Sequence, residues 1–360
     1  MVGMRRRPPP TFLPRPPAGL PNPGGTQPEP LSRHTGPTGG LVTDADTDRV
    51  ETQASPKPAL ISLGANLGDA PRTLDEALER ISADDRVDQL CPSNRFSVPA
   101  IGGPPDQPGF VNGAATLRFA GGALQLLQLL QNVERDLGRV RTRRWSARTV
   151  DLDVVLFADF IGGTERLLIP HPRYAARRFV LQPAVELAGQ WPDPRFGWTI
   201  EQTLRWINQS QRQLILSGGT DALRDQIAVR VTQQRQTHHN VVVNQSGRLT
   251  IGSHREDADP ASSEHATAPR TLTQAVPRTV LWTDIDRYRD SITAIGGTVP
   301  MVIQINDASD HDWPPPHRIF AGGRDCPQYA LEHRDLDWSV GEILAAIDSM
   351  NCRCERLDPR

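Results

Sequence analysis

The chain has 360 residues, a formal net charge of -2, 37% hydrophobic residues and four cysteines. Such a length admits two domains plus tails, and the near-neutral charge offers no general argument for nucleic-acid binding. Four scattered cysteines do not make a disulfide framework or a zinc site, no segment approaches the ~20 apolar residues of a membrane span, and no apolar signal core is present, so a soluble, cytoplasmic protein is expected.

Residues 1–57 contain RRRPPPTFLPRPPAGLPNPGGTQPEP and few apolar residues, too few to offset ordering entropy by burial, so a disordered tail is expected there. Lys57 is the only lysine, so the preference for arginine elsewhere says nothing about phosphate binding; only position and clustering count. From 58 to 210 the sequence is dense. ALISLGANLGD, from Ala59 to Asp69, predicts a strand and a Gly/Asn turn, and PRTLDEALERI predicts a helix with Leu74, Ala77, Leu78 and Ile81 on its apolar face. RFSVPAIGGPPDQPGFVNGAATLRF predicts two strand-like ends around a Gly/Pro loop, a candidate lid. GGALQLLQLLQNVERDLGR predicts a second amphipathic helix, apolar at Leu126, Leu127, Leu130, Val133 and Leu137. The strand RTVDLDVVLF follows, then helices in RYAARRFVLQPAVELAG and TIEQTLRWI. The order strand, helix, strand, strand, helix, strand is that of a ferredoxin-like α+β sandwich, with helices on one sheet face and the other face free for a site.

The strand RTVDLDVVLF poses a chemical question, because Asp151 and Asp153 stand two residues apart and so project from the same face, opposite Leu152 and Val154. Two carboxylates side by side repel unless something positive lies between them. They are either solvent-facing residues of a one-sided sheet or the ligands of a divalent cation, with Mg²⁺ the best match to a few carboxylates plus phosphate oxygens. GRVRTRRWSAR precedes the strand with Arg139, Arg141, Arg143, Arg144 and Arg148 around Trp145, and IPHPRYAARRFVL follows it with His171, Arg173, Arg177, Arg178 and Phe179. Acid pair, arginines and aromatic rings together suit a nucleoside triphosphate and a flat organic ring. No Gly-x-x-x-x-Gly-Lys-Ser/Thr loop occurs here, so metal and side chains would hold the phosphates.

The motifs SLGANLGD, DQPGFVNGA, VERDLGRVRTRRWSARTVDLDVVLF and IPHPRYAARRFVLQP, in this order, resemble the 6-hydroxymethyl-7,8-dihydropterin pyrophosphokinases of folate biosynthesis. The resemblance runs from Ala59 to about Asn208 and implies transfer of the β,γ-diphosphate of ATP to the pterin alcohol, with release of AMP. It implies two Mg²⁺ ions on Asp151 and Asp153, Asn112 hydrogen-bonded to the pterin, and Phe110 and Phe179 flanking its ring. Trp145, Arg139 and Arg148 would act from a loop that closes over the reactants. Gln131, Glu134, Arg144, His171 and Arg177 would lie on the ATP side. Two departures stand out: Ser146-Ala147 replace the usual Gly-Pro, and Phe110 replaces a frequent Tyr.

A ferredoxin-like RNA-binding sheet is the main competing class, but the site strand presents aspartates where exposed aromatics would be needed. A catalytically inactive or bifunctional family member is the other alternative. The remainder, residues 211–360, carries a low-complexity insertion at about 253–278 between the strand and helix patterns of QLILSGGTDALRDQIAVRV, TVLWTDIDRYRDSI, PMVIQINDA and LDWSVGEILAAIDSM. A smaller α/β domain is expected, vaguely resembling a degenerate P-loop nucleoside kinase, with a scaffold as the plainer alternative. LSGGTDALRD lacks the lysine of a working phosphate loop, so no phosphotransfer is expected from it. The expected partners of the chain are ATP and the pterin alone, with neither nucleic acid nor membrane, and the sequence leaves the oligomeric state open.

Overall fold

The computed structural model describes residues 55–103, 106–139, 147–164, 166–209, 211–235, 241–245, 248–250, 278–282, 301–307 and 326–358. Residues 1–54 of the expected tail and 253–277 of the expected insertion lie outside them, while Lys57, expected as the end of the tail, begins the first strand, and Arg278, at the end of the insertion, begins another. Lys57–Ala65 forms β1, whose last seven residues are all buried, as a central strand covered on both faces requires. The turn after it ends at Asp69, whose carboxylate caps α1 (Ala70–Ser82) by accepting from the Arg72 backbone N–H at 3.3 Å. Then come β2 (Val87–Pro92), β3 (Phe96–Val98) and β4 (Phe110–Phe119), where β2 and β3 together hold the place of one expected strand and both pair antiparallel with β4. The helix α2 (Ala123–Asp136) and the strand β5 (Asp151–Phe157) complete the β-α-β-β-α-β order.

In space the strands run β3-β4-β1-β5, all antiparallel, and α1 and α2 cover one face. Ile61, Leu63, Leu117, Leu152 and Val154 point into that layer, beside Leu74, Ile81, Leu126 and Val133 of the helices. A short hairpin follows, β6 (Gly162–Thr164) with β7 (Leu167–Ile169), then a 3-10 turn at Tyr174–Ala176 and the helices α3 (Arg178–Ala188) and α4 (Ile200–Ile207). The second sheet face is not free along its whole length. α3 packs across it at Leu60, Ala114 and Leu156, and only the end carrying Ser62, Gly64, Asn112, Asp151 and Asp153 opens onto a cleft.

Beyond α4 the chain builds a second sheet from β8 (Gln211–Ser217), β9 (Val241–Gln245), β10 (Arg248–Thr250), β11 (Arg278–Trp282), β12 (Met301–Asp307) and β13 (Gln328–His333). Their order is β10-β9-β11-β8-β12-β13, parallel except for the β9-β10 hairpin. α5 (Asp221–Arg235) follows β8, and α6 (Leu336–Asn351) follows β13. Arg224, in the first turn of α5, donates back to the carbonyls of Gly218 and Gly219 in the turn before the helix.

Thr52–Arg360 form one compact unit. The boundary expected at 210/211 is crossed by a single apolar cluster that joins Leu181, Trp206 and Ile207 to Leu214, Ile303, Ile343 and Met350. Arg212, fully buried, spans the same junction by donating to Ile207 O at 2.9 Å and to Asn351 Oδ1, and burial pulls its guanidinium down to about 10. The last strand, β14 (Glu355–Arg356), returns to pair with β3 and so forms the edge of the first sheet.

Candidate active site

The cleft is built on the strand faces. Ser62 pairs with Asp153 and Gly64 with Asp151 across β1 and β5, while Gly64 pairs with Asn112 across β1 and β4, so five neighbouring positions share one surface. Gly64 is needed there because a Cβ would stand 2.9 Å from Asn112 Oδ1. Phe110, Asn112, Arg148, Asp151, Asp153, Arg177 and Phe179, separated widely in sequence, all line this cleft.

Asp151 is held between two cations, Arg139 Nη2 at 2.6 Å and Arg148 Nη1 at 2.5 Å. Asp153 has Arg177 Nη1 at 3.8 Å, close enough for charge attraction, and His171 Nε2 at 3.9 Å, both too far for hydrogen bonds. His171 is fixed by its own backbone N–H, which donates to Val155 O at 2.9 Å, and its Nδ1 accepts from the Arg173 N–H at 3.1 Å. With Nδ1 accepting, the proton of the neutral ring sits on Nε2, toward Asp153. Burial, then the neighbouring Arg177 and Arg173, hold the imidazole pKa well below the usual histidine range, so the ring is neutral at pH 7. The Arg177 guanidinium also stands 5.7 Å from the ring centre of Phe179.

Glu134 does not line the cleft. It is buried on α2, where its Oε1 accepts from the Leu152 N–H at 2.8 Å and from Arg139, so it braces the start of β5 and aims Arg139 at Asp151. Gln131 lies one turn earlier, its side-chain oxygen 3.3 Å from Arg166 Nη2. Arg144 and Trp145, both expected in the closing loop, fall outside the described residues.

One positioning residue escaped the sequence reading. Asn66 is 4% exposed, and its Nδ2 donates to Pro108 O at 3.1 Å while its Oδ1 accepts from the Arg148 N–H at 2.8 Å. It also donates its backbone N–H to Arg148 O at 3.2 Å. It thereby joins the end of the Gly/Pro loop to the base of the arginine loop. Its place in GANLGD was the available signal, since a buried asparagine next to a turn must spend its amide on neighbouring backbone.

Among the described residues no three His, Cys, Asp or Glu side chains are placed to hold a metal by themselves. Two hard carboxylates opening on a cleft lined with arginines fit Mg²⁺ delivered with phosphate, which needs only one or two protein carboxylates. Such a cleft at one end of an antiparallel sheet suits a ligand that carries phosphate groups.

A profile of the 7,8-dihydro-6-hydroxymethylpterin-pyrophosphokinase family matches residues 60–189. The chain is 36% identical over 150 residues to the 2-amino-4-hydroxy-6-hydroxymethyldihydropteridine pyrophosphokinase of Synechocystis sp., covering 42% of this chain and 76% of that one. It is 40% identical over 130 residues to the enzyme of that name from Haemophilus influenzae, covering 36% and 81%, and 37% identical over 132 residues to that of Bacillus subtilis, covering 37% and 78%. The chain belongs to this pyrophosphokinase family of folate biosynthesis.

Proposed function

We propose that the cleft transfers the β,γ-diphosphate of ATP to the hydroxymethyl oxygen of 6-hydroxymethyl-7,8-dihydropterin, releasing AMP. The observation that carries this reading is the placement of Asp151, Asp153 and Asn112 on one strand surface with Phe110 and Phe179 around it. Asn112, buried at the floor of the cleft, can donate and accept at once and so suits the amide-like edge of a pterin. Phe110 and Phe179 supply apolar area for its ring. Phe110 lacks the tyrosine hydroxyl but keeps that area.

Asp151 and Asp153 would hold two Mg²⁺ ions, which would neutralise phosphate charge and favour its transfer. Arg139 and Arg148, now on Asp151, and Arg177, beside Asp153, are within reach of an anion entering the cleft. As the bond from Pβ to the α,β-bridging oxygen breaks and the bond from the pterin oxygen to Pβ forms, with the hydroxyl proton released, charge spreads over the moving group and the AMP leaving oxygen. Fixed guanidiniums stabilise that spread charge more than they stabilise the ground state. His171 is not among the cleft-lining residues, but neutral with its Nε2–H toward Asp153 it would donate a hydrogen bond to a phosphate held there. The bonds of Asn66 set the loops that exclude water.

The purified chain, given ATP, Mg²⁺ and 6-hydroxymethyl-7,8-dihydropterin, should form AMP and the pterin diphosphate in equal amounts, and omission of Mg²⁺ should stop it. ADP as the nucleotide product, or no AMP, overturns the reading.

A further inference from the structure

Glu342, Ala345, Ala346 and Ser349 are spaced i, i+3, i+4 and i+7 along α6, which stacks them on one helix face. All four line the cleft, as does Tyr329 of β13, together with Phe110, Asn112 and Phe179. None of these α6 and β13 residues belongs to the segment 60–189 that carries the family likeness. The wall therefore comes from outside the segment that carries the likeness.

The charged member of that face is deeply buried. Glu342 is 2% exposed, its Oε2 lies 3.2 Å from Arg173 Nε, and the Tyr329 hydroxyl donates to the same oxygen at 3.3 Å. A carboxylate taken from water costs several kcal/mol unless a cation meets it, so its pairing with Arg173 is the condition for its being there. Arg173 and Arg177 both line the cleft, and two guanidiniums side by side repel; Glu342 is the counter-charge that lets them share it. The helix is also anchored at its far end. Arg178 donates from Nε and Nη2 to Met350 O at 3.0 and 2.9 Å, and the chain beyond pairs β14 with β3, which leads directly into Val98 and Pro99 of the cleft.

We propose that α6 is a wall of the substrate pocket, with Ala345 setting the room left for the acceptor ring and Glu342 acting as a positioning residue that holds Arg173 beside the transferred phosphates. This rests on the pyrophosphokinase reading of the cleft. Small residues at 345 and 346 leave space that longer side chains would fill, so the acceptor, not ATP alone, meets the helix.

The test uses the full chain and two variants, Ala345→Leu and Glu342→Gln, with Ala345→Val as the milder change if leucine impairs folding. Binding of 6-hydroxymethylpterin is read by its own fluorescence, turnover by AMP release, and folding by thermal melting. Ala345→Leu should weaken pterin binding and raise KM for the acceptor about tenfold while KM for ATP stays within about twofold, the cost of inserting extra methylenes into a shaped site. Glu342→Gln should lower kcat about tenfold with acceptor affinity within about twofold, the pattern of an interaction that matters as charge moves. Unchanged acceptor affinity in a folded Ala345 variant overturns the wall, and an unchanged kcat in Glu342→Gln overturns the positioning role. Binding is measured without turnover, so both affinities are read even if the wild-type chain forms no AMP; that outcome strikes at the pyrophosphokinase reading instead.

Discussion

Asp153 is the more open of the two cleft carboxylates, 36% exposed at its side chain against 27% for Asp151. Asp151 is already engaged by Arg139 and Arg148, so Asp153 is the group with more to offer an incoming cation. Asp153→Asn keeps the shape and removes the charge. Turnover should fall on the order of 10²-fold, since a lost ligand weakens a metal contribution of several kcal/mol. The melting temperature should stay within about 2 °C, because a half-exposed side chain away from the core contributes little to stability. AMP formation within a few-fold of wild type would remove Asp153 from the metal role. That the two aspartates share a face was readable from the sequence, because a strand repeats every two residues whatever surrounds it. The roles of Glu134 and Asn66 were not. Each acts through bonds to backbone groups far along the chain, and residue spacing carries no record of such partners.

Loops and strands meet at Asn66. Its side chain is bound at once to Pro108 and to Arg148, so it ties together two positions that stand far apart in sequence. Asn66→Ala deletes both side-chain bonds and leaves the Arg148 N–H and Pro108 carbonyl to find water, at about 1 kcal/mol or more for each group. The expected result is a kcat/KM about tenfold lower and faster protease cleavage between residues 101 and 108, with little change in the far-ultraviolet circular dichroism. Cleavage and kcat/KM equal to wild type would mean that the loops hold their places without it. At this scale the apolar stripes of α1 and α2 and the strand order of the first sheet followed from periodicity. The covering of the second sheet face did not, because α3 and α6 reach it from parts of the chain whose patterns only announce that they are amphipathic, never what they pack on.

The whole molecule is held by contacts that ignore the expected division at 210. Trp206 and Ile207 belong to the same apolar cluster as Leu214, Ile303 and Ile347, and Arg178 and Arg212 tie both sides of the junction to the end of α6. Cutting there exposes several large side chains at about 1.5–3 kcal/mol each, against a typical total stability of about 5–15 kcal/mol. A fragment of residues 55–210 should therefore lack a cooperative melt and lose most of its activity, while the full chain should melt in one transition by circular dichroism. A fragment that melts cooperatively near the full-length temperature would show that the shared cluster is dispensable. The edge strand β14 carries a consequence in time as well. Its partner β3 leaves the ribosome early, and at synthesis rates of about 5–20 residues per second its edge stays open on the order of ten seconds or more before Glu355 and Arg356 arrive. During that interval Ser97 and its neighbours present unpaired backbone to whatever is near, so a nascent chain stalled before Glu355 is a form in which this sheet would recruit a chaperone or a second chain.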